Sequence, residues 1–274
     1  MTHTLTLDHI VIAVHDLEAA ITDYRALGFQ VRVGGQHPGR TSHNALVVFS
    51  DGSYLEIIAW SAPAPEERWY CTLRDHGEGL VDFALLPHNT AQALQEARAR
   101  GLNTLTGPLE GGRVRPDGAQ LQWQTARHAT PDLPFLCGDI TPRALRVPEG
   151  DVRVHPNGAL GVATITVAVH DLDATLARYR ALLGPSATPL AGDSEHNTLA
   201  DGTRTATLAL GPLQLMLHSA PTDAALAPVR QRLATRGEGP CAVTLHCAAG
   251  LSHAAIDPQR SHGVALSWQP SVKA

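Results

Sequence analysis

Residues 10–27 read IVIAVHDLEAAITDYRAL, and residues 165–182 read ITVAVHDLDATLARYRAL. The offset is 155, and eleven of the eighteen positions are identical. A second echo follows in the same order. Gly77-Glu78-Gly79 precedes LVDFALL, and Gly237-Glu238-Gly239 precedes CAVTLHC, at an offset of 160. Two echoes at nearly one spacing mark a duplication of about 155 residues, which sets the architecture before any single element is read.

Working outward from the first copy, Leu5 to Val14 alternates as a strand. Asp16 caps a helix whose apolar positions Leu17, Ala20, Ile21, Tyr24 and Leu27 follow helical spacing, and Gly28 lies where a C-terminal cap belongs. Strands at Phe29–Val33, His43–Phe49 and Tyr54–Trp60 follow, the last two flanking the turn Ser50-Asp51-Gly52. The unit is β-α-β-β-β. A second unit starts at Leu80–Leu86, with a helix over Thr90–Arg100 and strands near Ala119–Thr125 and Pro134–Cys137. A third starts at Ala159. The fourth, from Cys241, has a shortened helix, because Gly250 to Pro258 is only weakly helical.

Composition narrows the chemistry. The chain has 274 residues, 43% hydrophobic and 17% charged, enough for a buried core in one large or two small domains. A net charge of −5 with no basic stripe argues against nucleic acid. The apolar runs are too short to span a bilayer, and no secretory signal pattern opens the chain, so a cytoplasmic protein is expected. Lys273 is the only lysine, which excludes a Schiff-base, pyridoxal-phosphate or P-loop lysine. Cys71, Cys137, Cys241 and Cys247 form no C-x-x-C pair and read as reduced thiols. No G-x-S-x-G, G-x-G-x-x-G or H-E-x-x-H motif is present.

Four β-α-β-β-β modules resemble the vicinal oxygen chelate superfamily, which includes glyoxalase I, extradiol dioxygenases, and fosfomycin- and bleomycin-resistance proteins. The opening LDHIVIAVHDLEAAITDYRALGF, the stretch HPGRTSHNALVVFSDGSYLEIIAW and the later RVRPDGAQLQWQTA followed by LPFL carry the resemblance. It is good over residues 5–145 and weaker over 159–271. It implies an α+β fold of paired βαβββ modules whose curved mixed sheets enclose a cleft. Two tandem domains follow: residues 1–148 with the candidate site, and residues 149–274 as a degenerate copy.

Strand alternation then assigns faces. Ile10, Ile12 and Val14 form the greasier face of the first strand and should pack on the helix, so His9 points into the cleft. Glu56, mid-strand in YLEIIAW, is costly to bury under a helix and should share that cleft. First and fourth strands are neighbours in this fold, so His9 and Glu56 meet as an N/O pair suited to a divalent metal such as Zn, Fe, Mn or Ni. They match the family's histidine and glutamate ligands. A hairpin turning at residues 51 and 52 puts His43 opposite Trp60 on the same face, as a further ligand, an acid/base or a substrate contact. Asp82 falls where glyoxalase I has a second histidine. Cys137 replaces the expected second glutamate, with Asp139 two residues on.

Arg113 and Arg115 are hairpin charges or seats for a substrate carboxylate. Gln120, Gln122 and Gln124 alternate with Leu121 and Trp123. The glutamines face the cleft if the apolar residues pack on the helix. His15 recurs as His170 and belongs to the strand-to-helix turn. In the second half Thr164 stands for His9, Ala242 for Asp82, and Gln214 or Leu215 for Glu56, so that copy has lost the site.

The resemblance implies a metal-dependent lyase, isomerase or dioxygenase acting on a small oxygen-rich substrate in the N-terminal cleft. His9, Glu56 and Asp82 would hold the metal, Glu56 and His43 would do proton chemistry, and Trp60, Arg113, Arg115, Gln122 and Gln124 would line the pocket. The alternative is a metal-free small-molecule binding or resistance protein of the same fold. No organic cofactor, nucleic acid or membrane partner is expected, and the chain is a monomer or homodimer.

Overall fold

The alternating run at the start of the chain forms β1 (Thr6–Ala13), and the capped segment after it forms α1 (Leu17–Ala26). The computed structural model describes residues 5–184, 188–189, 197–220, 228–251 and 253–271. Asp16 caps α1 as its sequence position suggests, its carboxylate accepting the N–H groups of Glu18 and Ala19. Ile10, Ile12 and Val14 are buried against Leu17, Ala20, Ile21 and Tyr24 of α1. Each such aliphatic side chain contributes about 1.5–3 kcal/mol on full burial.

The first module continues with β2 (Arg32–Gln36), β3 (Ser42–Val48) and β4 (Tyr54–Trp60). The second comprises α2 (Arg68–His76), β5 (Gly79–Leu86), α3 (Thr90–Ala99), β6 (Leu105–Val114), β7 (Gln120–His128), β8 (Phe135–Asp139) and a short α4 (Arg143–Arg146). The eight strands close into a barrel in the order β1-β4-β3-β2-β6-β7-β8-β5. β1 runs parallel to β4 and antiparallel to β5, joining the modules on one side. On the other side the barrel is closed by a single pair, Gln36 opposite Val114. Three elements differ from the sequence reading. The strand expected at Phe29–Val33 lies at Arg32–Gln36, where it pairs with β3. Arg68–His76 is helical, and the glycine-rich Leu105–Val114 is a strand despite its low β-propensity, because pairing with β7 along most of its length supplies what propensity lacks.

The second half repeats the plan: β9 (Ala159–Ala168), α5 (Leu172–Leu183), β10 (Thr188–Pro189), β11 (Asn197–Thr198), β12 (Arg204–Leu210), β13 (Leu213–Ser219), α6 (Pro228–Arg236), β14 (Gly239–Cys247) and β15 (Ala265–Pro270). They form one open sheet, β10-β12-β13-β9-β14-β15, with β11 beside β12. Among the described residues no helix separates β14 from β15, so the fourth module's helix is replaced by turns. Ser252, within that segment, and Lys273 lie outside the described residues.

Both sequence echoes have one structural explanation. Glu78 accepts the main-chain N–H of His15 at 2.8 Å, and Glu238 accepts that of His170 at 2.8 Å. The glutamate of each Gly-Glu-Gly therefore ties down the turn that starts the helix of the preceding module. His15 and His170 contribute their backbone there, in keeping with a turn role.

The halves share one hydrophobic core that runs through α1, β1, β4, β9, α5 and β13. Tyr24 and Tyr179, both fully buried, each donate a hydroxyl across the junction, to the carbonyls of Ser261 and Asp132. Phe29 stacks on Trp268 at 6.0 Å. Among the described residues no helix is long and apolar enough to cross a membrane.

Candidate functional site

The barrel encloses a chamber of about 1060 Å³. His9, Tyr54, Glu56 and Ile58 line it from β1 and β4, and Arg113, Trp123, Arg127, Phe135 and Cys137 from β6, β7 and β8. The face assignment of β1 and β4 holds, because Val11 and Ala13 share the inner face with Ile58, while Ile10 and Ile12 pack outward.

At the floor, His9 Nε2 lies 3.2 Å from Glu56 Oε2, and both side chains are buried. Asn44 donates its amide N–H to Glu56 Oε1 at 2.6 Å. His37, from the turn after β2, brings Nε2 to 3.8 Å from Glu56 Oε1, while its Nδ1 is held by Ser42. On the other side of His9, Nδ1 meets Asp8 at 2.7 Å. Asp8 is fully buried and accepts from Arg143 at 2.6 Å and from Arg146 at 2.8 and 3.0 Å. Arg146 also donates to the Tyr54 hydroxyl and to Asp139, and the Tyr54 ring stacks on His9. Asp8–His9–Glu56 is thus one continuous charged line through the barrel wall.

This line sets the charge states. Burial works against ionising Glu56, but His9, His37 and Asn44 outweigh it and hold its carboxyl down to about 2. Burial opposes protonation of His9, yet Asp8 and Glu56 raise it above the ordinary imidazole range. His37 goes the other way. Burial lowers it, with Arg113 and Arg40 helping, and Glu56 compensates only in part. The floor therefore presents an anionic carboxylate, an imidazole whose charged form that carboxylate and Asp8 favour and, at 3.8 Å, a neutral imidazole with an open nitrogen. Burial pushes the Cys137 thiol up, so it stays protonated.

The structure sets the other sequence candidates elsewhere. His43 lies opposite Ala59, and Ser42 opposite Trp60, so His43 is on the outer face and Ser42 and Asn44 take the inner one. The turn causes this. Phe49 N–H bonds to the Ser53 carbonyl and Asp51 caps Ser53, giving a five-residue loop and a pairing one residue off the expected one. A one-residue slip moves every side chain to the opposite face.

Trp60 does not line the chamber. Its indole N–H donates to Glu67, which does, and its ring packs edge-on against Tyr70. Asp82 is buried and committed to Arg68 and to the Trp69 indole, both from α2, at 2.9 Å in the latter case. Arg113 does line the chamber, donating to Asn44 Oδ1 and to the Arg146 carbonyl. Arg115 sits on the hairpin with Asp117. The glutamine wall is inverted. Leu121, Trp123, Thr125 and Arg127 face inward, while Gln120 and Gln122 reach only the rim and Gln124 pairs with Glu110. The reason is that the barrel interior is itself partly apolar, so Trp123 packs inside beside Gly111 and leaves the glutamines to water.

The strand register also corrects two equivalences. His9 lies opposite Tyr54 and Val11 opposite Glu56, whereas Ala84, the counterpart of Val11, lies opposite Phe135. Phe135, not Cys137, therefore holds the Glu56 position of the second module. Its ring meets His9 edge-on at 5.4 Å. In the second half Thr166 lies opposite Met216, which makes Met216 the counterpart of Glu56.

These placements bear on the metal that the resemblance implies. Among the described residues no three of His, Cys, Asp and Glu are placed to share an ion. Of the four positions of the family pattern, Asp82 is saturated by α2 and Phe135 has no donor. Only His9 and Glu56 remain, with one contact on each Glu56 oxygen, from His9 and from Asn44. The donor set does not fit a family-type metal shell, which takes three or four protein ligands.

The closed barrel with its side-by-side modules defines the class: the chain belongs to the glyoxalase-like domain family, whose model matches residues 7–183. The fold is that of the vicinal oxygen chelate superfamily. No match was found among curated proteins. Similar solved structures include a hypothetical protein from Staphylococcus aureus (TM-score 0.72, 12% identity, 97% of this chain and 100% of that one). A variant of 4-hydroxymandelate synthase from Streptomyces coelicolor is also similar (0.65, 15%, 90% and 72%). So is a fusion of a xylose isomerase-like TIM barrel with a 4-hydroxyphenylpyruvate dioxygenase (0.56, 18%, 90% and 38%). At these identities the likeness is one of fold.

Proposed function

We propose that this chain is a metal-independent small-molecule binding protein, its ligand held in the barrel chamber with a hydrogen-bonding end on the Glu56–His9–His37 floor. One observation carries the reading. The two groups that could take a proton on the floor are held away from mid-range, Glu56 anionic at about 2 by its neighbours and His37 neutral by burial. A general base works best with a pKa near the working pH, and a carboxylate at about 2 is a poor one. As a recognition floor the same residues are well placed. Glu56 is fixed by His9 and Asn44, Arg113 braces Asn44, and His37 Nε2 stands open beside them, on a wall completed by Trp123, Phe135 and Ile58. Few convergent polar groups in a largely apolar cavity is the usual make-up of a ligand site.

The test is metal content and ligand retention together. The untagged protein, purified without chelator, is compared with the His9→Ala/Glu56→Ala double variant by elemental analysis and by native mass spectrometry of bound small molecules. The reading expects well under one metal per chain in both, before and after incubation with Zn, Ni, Mn or Fe(II). A stoichiometric transition metal that disappears in the double variant would overturn it and restore a metal-dependent lyase, isomerase or dioxygenase.

A further inference from the structure

Five arginines line the chamber: Arg40, Arg68, Arg113, Arg127 and Arg146. Four are spoken for. Arg40 pairs with Glu67, and Arg68 with Asp82. Arg113 donates to Asn44 and a carbonyl, and Arg146 to Asp8, Asp139 and Tyr54. Among the described residues no side chain or carbonyl accepts a hydrogen bond from the Arg127 guanidinium. The nearby acid, Asp82, has Oδ2 on Arg68 and Trp69 and Oδ1 on the Phe83 N–H.

Arg127 is nonetheless held in place. Its guanidinium carbon lies 4.7 Å from the centroid of Trp69 and 4.5 Å from that of Phe135. Stacking on two rings fixes the plane of the group and leaves its donors at the edge. None of its nitrogens is sealed off without a partner, so those edges open on the chamber. Taking a cation out of water without an acceptor is costly. The strain shows in the direction of its titration, since burial lowers it and the more distant Asp82 charge offsets only part of this. A group so positioned is a vacant half of a pair.

We propose that Arg127 seats a carboxylate of the chamber's ligand, donating two parallel N–H···O bonds to it. This rests on the reading of the chamber as a small-molecule site and adds the ligand's class: an organic acid carrying one carboxylate. The fork geometry suits a planar oxyanion. A single free guanidinium suits a monoanion over a phosphate dianion, because the other four arginines are neutralised or tied to neutral acceptors. The Phe135 ring lies between the seat and the floor, 4.5 Å from one and 5.4 Å from His9. The seat is thus no farther from His9 than those two distances together, a span that one small acid bridges, its body on Phe135 and its second polar end on Glu56 and His37.

The probes are benzoate, 3-phenylpropionate and hexanoate, each beside its primary amide, titrated to about 10 mM against tryptophan fluorescence and calorimetry. The Trp69 indole under the guanidinium is the reporter. Wild type should bind at least one acid ten-fold or more tightly than its amide. Arg127→Gln should lose that preference while still binding the amide, and Arg127→Lys should keep part of it. The wild-type comparison of acid with amide needs no variant, so a poorly folded Arg127→Gln does not remove the test. Equal affinity for acid and amide, or unchanged acid binding in a folded Arg127→Gln, overturns the role of Arg127 and leaves the chamber a binding site. No binding of any probe overturns both.

Discussion

Replacing Glu56 with glutamine removes one charge and little volume, and the structure sets the size of the effect. Folded Glu56 titrates at about 2 against 4.5 for a free glutamate. The depressed value means the carboxylate stabilises the fold above the unfolded value, and that this is lost as pH falls through the folded one. At 1.36 kcal/mol per unit, the contribution is about 3 kcal/mol at pH 5.5 and falls to about 1.4 kcal/mol at pH 3. Glutamine keeps the Asn44 contact through its carbonyl oxygen but cannot neutralise His9. Urea unfolding of wild type and Glu56→Gln at a series of pH values between 3 and 5.5 measures the gap. It stays below the range in which a free histidine loses its proton. The expected gap is about 3 kcal/mol at the upper end, shrinking by about half at pH 3. A gap that is constant across the series, or below about 1 kcal/mol throughout, would refute the ionic floor.

Arg146→Met should be the most damaging single change near the site. It leaves fully buried Asp8 with only Arg143 and His9, and breaking such a pair costs about 3–5 kcal/mol, read as a shift in urea midpoint. A loss below 1 kcal/mol would show that Arg143 suffices alone. At Gly34, an added methyl would overlap Asn44 Oδ1 and the Arg113 guanidinium. Gly34→Ala should therefore weaken ligand retention through Asn44 while leaving His9 and Asp8 paired, and retention equal to wild type would count against Asn44 as a floor residue. Cys137, buried with its thiol pushed up, should resist a thiol reagent at pH 8 in the folded protein and react once unfolded. Rapid labelling of the native state would contradict that burial.

How far the sequence could be read follows from what each element depends on. The faces of β1 and β4 were legible because Ile10, Ile12 and Val14 against His9, and Leu55 and Ile57 against Glu56, are strict alternations with one greasy side. The turn that both halves share was legible because both echoes are local. What failed depended on counts made across a gap. His43 lost the site because Phe49–Ser53 is a five-residue turn, and parity flips with a single residue. The Phe135 equivalence is two residues from the one expected because it depends on how β8 pairs with β5 about fifty residues earlier, which no local pattern records. The glutamine wall failed on an assumption, that apolar residues of β7 must pack on a helix, when the barrel interior has its own apolar lining. Asp82 looked free because Arg68–His76, whose arginine and tryptophan capture it, gives only a faint helical signal. His37, Asn44, Arg127 and Arg146 stand in no ligand spacing, and only the closed barrel brings them to one chamber.

The Gly-Glu-Gly tie has a consequence for how such a chain diverges. Glu78 and Glu238 fasten the same turn in each copy through main-chain N–H groups, and neither reaches the chamber floor. The residues that brace the turn in each half are therefore not the residues of the chamber floor. Thr164 and Met216 stand in the second half where the first has His9 and Glu56, while the glutamate tie to the turn is the same in both. Bracing of the fold and the polar floor of the chamber are thus written on separable sets of positions, and the second half keeps the first set with a threonine and a methionine in place of His9 and Glu56.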